Sequence, residues 1–239
     1  MAKPTQFLPL YLQVKDLLIQ RLIDKLWKPG MPLPSEFQLA EELHVSQGTV
    51  RKALDEMAAE KLVIRRQGKG TFVAEHDQEH SLYHFFRLRD EKNQRHLPHS
   101  TLLNIALDNA TTLESESLQL QDNEQVIRID RTRALAGKMI INETITLPAR
   151  LFPNLDLDSE LPNTLYSFYQ REFGLSVVKV SEKLTAVLAD EIDQQHLNIV
   201  AGTPLLRALR TAYTLDGIPV ELRITRSLTE DHSYFIELT

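Results

Sequence analysis

The chain has 239 residues, of which 42% are hydrophobic and none is cysteine, and its formal net charge is −6. That length admits one large domain or two ordinary ones, and the lack of cysteine excludes disulfides, thiolate metal sites and cysteine nucleophiles. The N-terminus lacks the pattern of a signal peptide and no apolar run approaches ~18 residues, so the sequence predicts a cytoplasmic protein without membrane spans.

The charge is unevenly distributed along the chain. Residues 1–76 contain 11 Lys and Arg against 9 Asp and Glu, a net +2, whereas residues 77–239 contain 16 against 24, a net −8. Within 46–73, six basic side chains outnumber three acidic ones. Because phosphate affinity depends on local positive charge, this segment suits a polyanion-binding face on an acidic body. A solvated charged surface is the alternative interpretation.

Three helices are predicted near the N-terminus. Apolar residues at three- and four-residue steps predict an amphipathic helix over 9–27, which the following Pro-Gly pair would end. Ser35 begins a Ser-x-x-Gln capping-box pattern and a short helix over about 35–42. Ser46 is the next N-cap, and apolar spacing after it predicts a third helix over about 46–60.

The third helix begins with side chains suited to reading DNA. Gln47, Gly48 and Thr49 fill its first turn, and Arg51 and Lys52 follow. A recognition helix enters the major groove by its N-terminal end, where Gln pairs with adenine and Arg with guanine. A glycine there lowers helix propensity but permits close approach to a groove wall. Alternatively, the hydroxyl residues are ordinary caps and the arginine is a surface charge.

A basic hairpin is predicted after the third helix. Two short β runs, at 62–64 and 72–73, flank a turn whose glycines supply a permissive backbone. Arg65, Arg66 and Lys69 put three cations on this hairpin. A hairpin at the end of a helix-turn-helix is a wing, which lies along the DNA backbone or in the minor groove. The sequence therefore predicts a winged helix-turn-helix.

Four motifs in this segment are PLYLQ at 9–13, PGMPLPSE at 29–36, VSQGTVRKAL at 45–54 and RRQGKGTFV at 65–73. With them, residues 9–74 resemble the DNA-binding domain of the GntR family of bacterial repressors. Phe37 and Gln47 stand where family members often carry arginines that contact guanine or phosphate. Spacing and resemblance together predict a DNA-binding set: Ser35, Glu36, Phe37, Ser46, Gln47, Gly48, Thr49, Arg51, Lys52, Arg65, Arg66, Lys69, Gly70 and Thr71.

The remainder of the chain is predicted to be a second domain. Residues 1–75 form the DNA-binding domain, 76–82 a polar linker, and 83–239 a β-rich domain for effector binding and dimerisation. Scattered histidines, as in the linker, are expected to be solvated rather than to bind metal.

A charged hairpin is predicted within the second domain. Strands over 126–134 and 139–147 flank an Ala-Gly-Lys turn, and directly opposed residues must lie on the same face. A three-residue loop sets Arg131 opposite Glu143, and a shift of two residues sets Arg133 there instead. Buried charges are costly unless they are paired or meet a polar ligand. Two interpretations stay open: an internal ion pair that fixes the register, or a pocket whose arginines suit phosphate or carboxylate groups.

A second hairpin follows a predicted helix near 190–199. Its strands run over 205–213 and 218–226 around an Asp-Gly turn, and Glu221 and Arg223 share one face of the last strand. A further helix is predicted over 162–173, and its tyrosines, Tyr166 and Tyr169, are expected in the core.

Five more motifs are RxR at 131–133, INETITLPARLFPNL at 141–155, NTLYSFYQREFGL at 163–175, GTPLLRALRTAY at 202–213 and DGIPVEL at 216–222. By these, residues 80–239 resemble the UTRA effector-binding domain of the HutC subfamily of GntR regulators. The resemblance implies an antiparallel sheet flanked by helices, related to chorismate lyase, that binds small metabolites. The predicted effector-binding residues are Phe85, Phe86, Arg131, Arg133, Glu143, Thr164, Glu221 and Arg223.

The sequence thus predicts an α+β protein in which a winged helix-turn-helix precedes an antiparallel-sheet, chorismate-lyase-like UTRA domain. We expect a ligand-responsive repressor, not an enzyme, without cofactor or metal. It binds a pseudo-palindromic double-stranded DNA operator as a homodimer, and an anionic small molecule, a carboxylate or phosphate, releases it. The alternatives are a lyase-like enzyme acting on an aromatic acid, fused to a DNA-binding module, and an architectural DNA-binding protein without effector.

Overall fold

The computed structural model describes residues 8–75, 86–157 and 160–237. The chain divides into two compact units, Met1–Glu75 and His76–Thr239. The predicted linker at 76–82 and the predicted effector residue Phe85 lie outside the described residues. No helix in the described ranges is long and apolar enough to cross a membrane.

Over the described residues 8–75, the first unit consists of three helices and a hairpin. Its core is formed by buried apolar side chains, among them Leu18, Leu39 and Leu54, one from each helix. The hairpin strands pair antiparallel from Val63 opposite Val73 to Arg66 opposite Gly70. The elements are α1 (Leu10–Ile23), α2 (Glu36–Glu42), α3 (Gln47–Ala59), β1 (Val63–Arg66) and β2 (Gly70–Val73).

All three helices end in a Schellman motif whose left-handed residue is not glycine. After α1, the amide of Leu26 donates to the carbonyl of Arg21 at 3.0 Å, across Lys25 with φ 58°. His44 (φ 53°) and Lys61 (φ 60°) occupy the same position after α2 and α3. The predicted end of α1 at 27 is therefore wrong, because two carbonyl-capping hydrogen bonds stop the helix before the Pro-Gly pair.

The second unit is a six-stranded antiparallel sheet with helices and a separate two-stranded ribbon. The strand order is β4-β5-β6-β9-β8-β7, and β3 pairs with β10. The elements are β3 (Leu88–Asp90), β4 (His99–Asn109), α4 (Thr112–Leu118), β5 (Gln125–Leu135), β6 (Lys138–Pro148), α5 (Leu165–Phe173), β7 (Val177–Leu188), α6 (Glu191–Leu197), β8 (Pro204–Thr214), β9 (Pro219–Ser227) and β10 (His232–Tyr234). A 3₁₀ turn, Ala149–Leu151, follows β6. The predicted α+β class with an antiparallel sheet is confirmed.

The register of β5 and β6 sets Arg131 opposite Glu143, as a three-residue loop would. The observed turn nevertheless contains two residues, Ala136 and Gly137, both with positive φ as a type I′ turn requires. A bulge after Arg133 takes up the extra residue. The turn and the bulge together keep the charged side chains on the face that α5 covers.

Helix α5 packs its apolar side on this face of the sheet. Tyr166 and Tyr169 are buried in a cluster with Ile129 and Ile145. The helix ends at Gly174, whose φ of 66° suits a glycine. Tyr169 lies in the core as predicted, whereas Tyr166 packs in the core and also lines the cavity described below.

A carboxylate on α4 ties that helix to β5 and β6. Glu114 accepts hydrogen bonds from Arg128 Nη2 at 2.9 Å, from the Thr111 amide at 2.8 Å and from Thr146 Oγ1 at 2.8 Å. Burial raises the pKa of Glu114, but the hydrogen bonds from Arg128 and the two threonines outweigh it and lower the pKa from 4.5 to about 2. The side chain is 8% exposed, so solvent screens these interactions little.

Glu114→Gln is expected to reduce the acid sensitivity of the second unit. Because the folded pKa of Glu114 lies below the unfolded value, its contribution is complete above about pH 4.5 and is lost as pH falls towards about 2. Urea unfolding of both proteins between about pH 5 and 3 should show the wild type losing up to about 2–3 kcal/mol more than the variant. Parallel pH profiles would contradict this assignment.

Candidate functional sites

Glu36, at the start of α2, holds basic side chains of α3 and of the hairpin. Its carboxylate accepts hydrogen bonds from Arg51 Nε at 2.9 Å and from Arg65 Nη1 at 3.0 Å, and Gln47 Nε2 lies 3.5 Å away. The hydrogen bond from Arg51 is the main cause that lowers the pKa of Glu36. Glu36 therefore orients Arg51 and Arg65, and its own contact with a duplex stays a prediction.

The first turn of α3 is open to solvent. Ser46 caps the helix as predicted, since its Oγ accepts from the Thr49 amide at 3.1 Å. Gln47 and Gly48 are exposed, and the Arg51 side chain is 58% exposed. This end of the helix therefore presents an amide, a glycine and a guanidinium to a partner.

Three further predicted cations, Lys52, Arg65 and Arg66, are positioned by aromatic or acidic neighbours. Lys52 lies 3.9 Å above the centroid of the Tyr11 ring, and Arg66 lies 4.7 Å above that of Phe72. Arg65 also pairs with Asp55 at 2.8 Å. These contacts fix side chains that still reach solvent.

Most members of the predicted DNA-binding set are exposed to solvent, but two are half-buried and one is buried. Glu36 and Thr49 are half-buried. Thr71 is buried, and its carbonyl accepts from the Leu33 amide at 2.8 Å, so it supports the hairpin from inside. The exposed members are Ser35, Phe37, Ser46, Gln47, Gly48, Arg51, Lys52, Arg65, Arg66, Lys69 and Gly70.

Gly48→Ala is expected to have opposite effects on the stability of the protein and on its affinity for DNA. A Cβ at this position would lie 3.8 Å from Ser46 Oγ, which is ordinary contact, so the protein itself has room for alanine. We expect the free energy of unfolding to rise by about 0.5–1 kcal/mol, while affinity for operator DNA falls because the methyl group stands between α3 and the groove. Urea unfolding and gel retardation measure the two effects, and unchanged DNA affinity would remove Gly48 from the interface.

The second unit contains a cavity of ≈ 70 Å³ between the sheet, the N-terminal end of α5 and the β3-β10 ribbon. Charged and polar side chains dominate its wall. The lining residues are Phe86, Arg87, Leu88, Arg131, Arg133, Ile141, Glu143, Asn163, Thr164, Leu165, Tyr166, Glu182, Leu206, Ala208, Arg210, Arg223, Thr225, Ser227 and Tyr234.

Glu143 is held between two guanidiniums. Arg131 Nε lies 2.5 Å from one of its carboxylate oxygens, and Arg223 Nη1 lies 3.2 Å from the other, which also accepts from Thr225. All three charged side chains are buried. Although burial raises the pKa of Glu143, Arg131 and Arg223 outweigh it and hold that pKa well below the ordinary value. The internal ion pair is therefore present, and it lies in the wall of a cavity. The interpretation of this face as a ligand pocket stays a prediction.

Glu221 has a supporting position behind the cavity. Arg223 donates to both of its oxygens, at 2.9 and 2.7 Å, and the hydroxyls of Tyr166 and Tyr169 donate at 3.0 and 2.8 Å. Glu221 is fully buried and is not among the lining residues. It therefore fixes Arg223 and the two tyrosines instead of facing a ligand.

Arg133 differs from its neighbour Arg131 in its lack of partners. It is 4% exposed, and within the described part of the chain its Nε and Nη2 atoms have no hydrogen-bond partner. Its guanidinium lies 5.3 Å from the centroid of the Phe86 ring. Burial, and then the charge of Arg131, lower the pKa of Arg133 to about 9. Buried donors are almost always satisfied in proteins, so an orphaned pair marks a place for a missing acceptor.

Sequence reasoning missed the far end of the cavity. Arg210 Nε lies 2.7 Å from Glu182 Oε1, and the Tyr234 hydroxyl donates to the same carboxylate. Arg210 and Glu182 are directly opposed in the β7-β8 pair, and Arg210 is also opposite Arg223. The register of the predicted hairpin sets Arg210 opposite the predicted site residue Arg223, so Arg210 could have been identified from the sequence. Tyr234 could not, because it reaches the site through the β3-β10 ribbon.

Comparison with known proteins places both units in families. The model of bacterial regulatory proteins of the gntR family matches residues 10–73, and the UTRA domain model matches residues 93–233. The chain belongs to the GntR family. GntR regulators of this type bind operator DNA and, through the UTRA domain, effector metabolites. The chain is accordingly a ligand-responsive, DNA-binding transcriptional regulator, as the sequence predicted.

Relatives extend over nearly the whole chain. The mannosyl-D-glycerate transport/metabolism system repressor MngR of Escherichia coli is 26% identical over 227 residues, 95% of this chain and 94% of that protein. The repressor NagR of Bacillus subtilis is 27% identical, over 90% of this chain and 88% of its own length. The histidine utilization repressor of Pseudomonas putida is 27% identical, over 86% and 83%.

Solved structures match the same architecture. The ligand-binding domain of a GntR-family regulator from Bordetella bronchiseptica is 29% identical, has a TM-score of 0.61, and covers 65% of this chain and 98% of its own. PhnF from Mycobacterium smegmatis is 22% identical with a TM-score of 0.54, over 95% of this chain and 99% of its own. At 22% identity, the match to PhnF supports the fold alone.

Proposed function

We propose that this GntR regulator is a repressor that an anionic metabolite releases from its operator. The observation that carries the proposal is the buried guanidinium of Arg133, which lines the cavity and whose Nε and Nη2 atoms have no hydrogen-bond partner among the described residues. A carboxylate or phosphate would supply both the missing acceptor and the missing charge. The three relatives named above, which are called repressors, support the direction of regulation.

The charge balance around the cavity supports an anion. Five guanidiniums line the cavity, those of Arg87, Arg131, Arg133, Arg210 and Arg223. The carboxylates of Glu143 and Glu182 in the wall, and of Glu221 behind it, balance three of them, so the excess is two positive charges. Thr164, the N-cap residue of α5, also lines the cavity and makes no side-chain cap, so the N-terminal amides of α5 add a favourable potential.

Phe86 supports a connection between effector and DNA. Its ring packs on Arg133. An anion on Arg133 would compete with the ring for the guanidinium and so favour another position of the Phe86 side chain. Release requires the effector to prefer the non-binding arrangement by about 10²-fold or more, because a ligand shifts an equilibrium only by its differential affinity.

We infer that the protein does not catalyse a reaction on its effector. A general acid or base needs a pKa near the working pH. Glu143 has a pKa far below it, and burial raises the pKa of Tyr166 to about 12. Turnover assays with chorismate test the lyase-like alternative, and product formation by the wild type would establish it.

We further propose a homodimer, because one recognition helix reads only a half-site. Strand β4 is an edge of the large sheet and carries exposed Leu102, Leu103 and Leu107. Its outer side pairs with no strand in the described ranges. The opposite edge, β7, also carries exposed leucines, Leu184 and Leu188, but Lys179 and Lys183 lie on the same strand and discourage edge pairing. Two β4 edges can pair antiparallel about a twofold axis, and we assign the dimer contact to them.

Leu103→Lys is expected to convert the dimer to a monomer. A lysine in each copy would bring two like charges together at the twofold axis and disfavour edge pairing. Size-exclusion chromatography with light scattering measures the mass, and Leu188→Lys on β7, at a side chain that is 65% exposed, is the control that should stay dimeric. A Leu103→Lys protein that remains a dimer would contradict this assignment.

A thermal-shift series tests the anionic effector. The full-length protein is heated with inorganic phosphate, sulfate, dicarboxylates, amino-acid catabolites and sugar phosphates. A cognate anion at 100 times its Kd stabilises by about 2.7 kcal/mol and should raise the melting temperature. The same anion should abolish gel retardation of the DNA upstream of the regulator's own gene. Stabilisation only by neutral molecules would overturn the anionic class.

A further inference from the structure

Phe37 is an exposed aromatic side chain beside the reading surface. It is the second residue of α2 and is 59% exposed. It is the one aromatic among the exposed large apolar residues of the described ranges. Scattered exposed apolar residues are ordinary, so exposure alone does not indicate a function for Phe37. The residues around it do indicate one.

Glu36 ties the turn that carries Phe37 to the turn that carries Gln47. Phe37 follows Glu36 directly, and the Glu36 carboxylate lies 3.5 Å from Gln47 Nε2 and 2.9 Å from Arg51 Nε. Gln47 is the first residue of α3 and is exposed. The N-terminal turns of α2 and α3 are thus held together, and the uncharged side chains that they present to solvent include Phe37 and Gln47.

The chemistry of these two side chains favours one kind of base pair. The amide of a glutamine can donate to N7-side acceptors and accept from the N6 amine of adenine, the bidentate pairing that adenine offers in the major groove. A phenyl ring has no donor or acceptor, and the apolar group in that groove is the C5 methyl of thymine. Neither side chain supplies the double donor that guanine O6 and N7 prefer.

We propose that Phe37 and Gln47 make this regulator read A·T pairs, with Gln47 on an adenine and Phe37 on a thymine methyl of each half-site. Arg51 and Arg65, both held by Glu36, supply the cationic contacts beside them. The inference rests on the first unit binding duplex DNA as a GntR domain and adds the base preference. It makes Phe37 a specificity-determining residue rather than an unused surface side chain.

Methyl deletion in the DNA tests this directly. The full-length protein first selects its sites from a pool of random duplexes, and each thymine of the selected site is then replaced by uracil, which removes only the methyl group. We expect one thymine per half-site at which uracil weakens wild-type binding by about fourfold, the effect of one buried methyl-sized group. Phe37→Ala should bind the two duplexes equally. Leu17→Ala, an exposed apolar control on α1, should retain the difference.

Two further arms complete the test. Replacing the contacted adenine by 7-deazaadenine, which removes the N7 acceptor, should weaken wild-type binding by about fivefold or more and leave Gln47→Leu insensitive. Phe37→Arg should select guanine where the wild type selects thymine. Selected sites with G·C pairs at every sensitive position, or a uracil effect that persists in Phe37→Ala, would overturn the inference. Failure to enrich any sequence would instead overturn DNA binding itself.

Discussion

Arg133→Met is expected to stabilise the free regulator and to abolish its response to anions. Methionine is close in volume to the arginine stem and has no donors to leave unsatisfied. Replacing buried charges by apolar side chains often stabilises a protein by about 1–4 kcal/mol, and the Nε and Nη2 atoms of Arg133 are buried without partners. We therefore expect a gain of about 1–3 kcal/mol in the free energy of unfolding, together with continued operator binding.

Arg131→Met is the matched control for this experiment. Arg131 is two residues away on the same face of β5 and is equally buried, but it pairs with Glu143 at 2.5 Å. Breaking a buried pair costs about 3–5 kcal/mol, and we expect the lower part of that range because Arg223, at 3.2 Å, still compensates Glu143 in part. Urea unfolding should thus move the two variants in opposite directions. If Arg133→Met is as destabilising as Arg131→Met, then Arg133 is a structural residue and the anion site must lie elsewhere.

Arg51→Ala is expected to abolish operator binding while the fold and the dimer persist. The Arg51 side chain is 58% exposed and its pair with Glu36 lies at the surface, so the variant is expected to keep nearly all of the wild-type stability. A base contact is worth about 1–3 kcal/mol per half-site, and a homodimer loses two of them.

Arg21→Ala is the control for Arg51→Ala. Arg21 lies on α1 and pairs with Glu42 at 2.6 Å, away from the first turn of α3. Gel retardation should show wild-type affinity, to within about twofold, because a surface ion pair of this kind contributes little. Undiminished affinity of Arg51→Ala would remove the N-terminal end of α3 from the readout.

Local signals account for what the sequence predicted well. The caps at Ser35 and Ser46 are set by residues three positions away, and the register of Arg131 against Glu143 follows from face alternation within one hairpin. Such signals involve neighbours in sequence, so no tertiary information is needed. The end of α1 was predicted wrongly because Lys25 occupies the left-handed position after the helix. That position is usually occupied by glycine, which would have marked the end of the helix in the sequence.

The different surroundings of Arg131 and Arg133, the two arginines of the RxR motif, could not be predicted from the sequence. Arg131 and Arg133 look equivalent in the RxR motif. They differ in the structure because Arg131 pairs with Glu143, whose other oxygen is taken by Arg223 from β9, a non-consecutive neighbour of β6. The Nε and Nη2 atoms of Arg133 have no hydrogen-bond partner in the described ranges. Glu221 is likewise turned into a support by Tyr166 and Tyr169 from α5. These outcomes depend on strand order and helix packing, which periodicity does not contain.

Gel retardation of the DNA upstream of the regulator's own gene tests the central claim most directly. We predict a retarded complex at low salt that weakens steeply as salt rises and disappears when the anion found by thermal shift is added. In Arg133→Met the complex should form and persist in the same anion. A purified dimer that leaves this DNA unretarded at low salt would contradict the account.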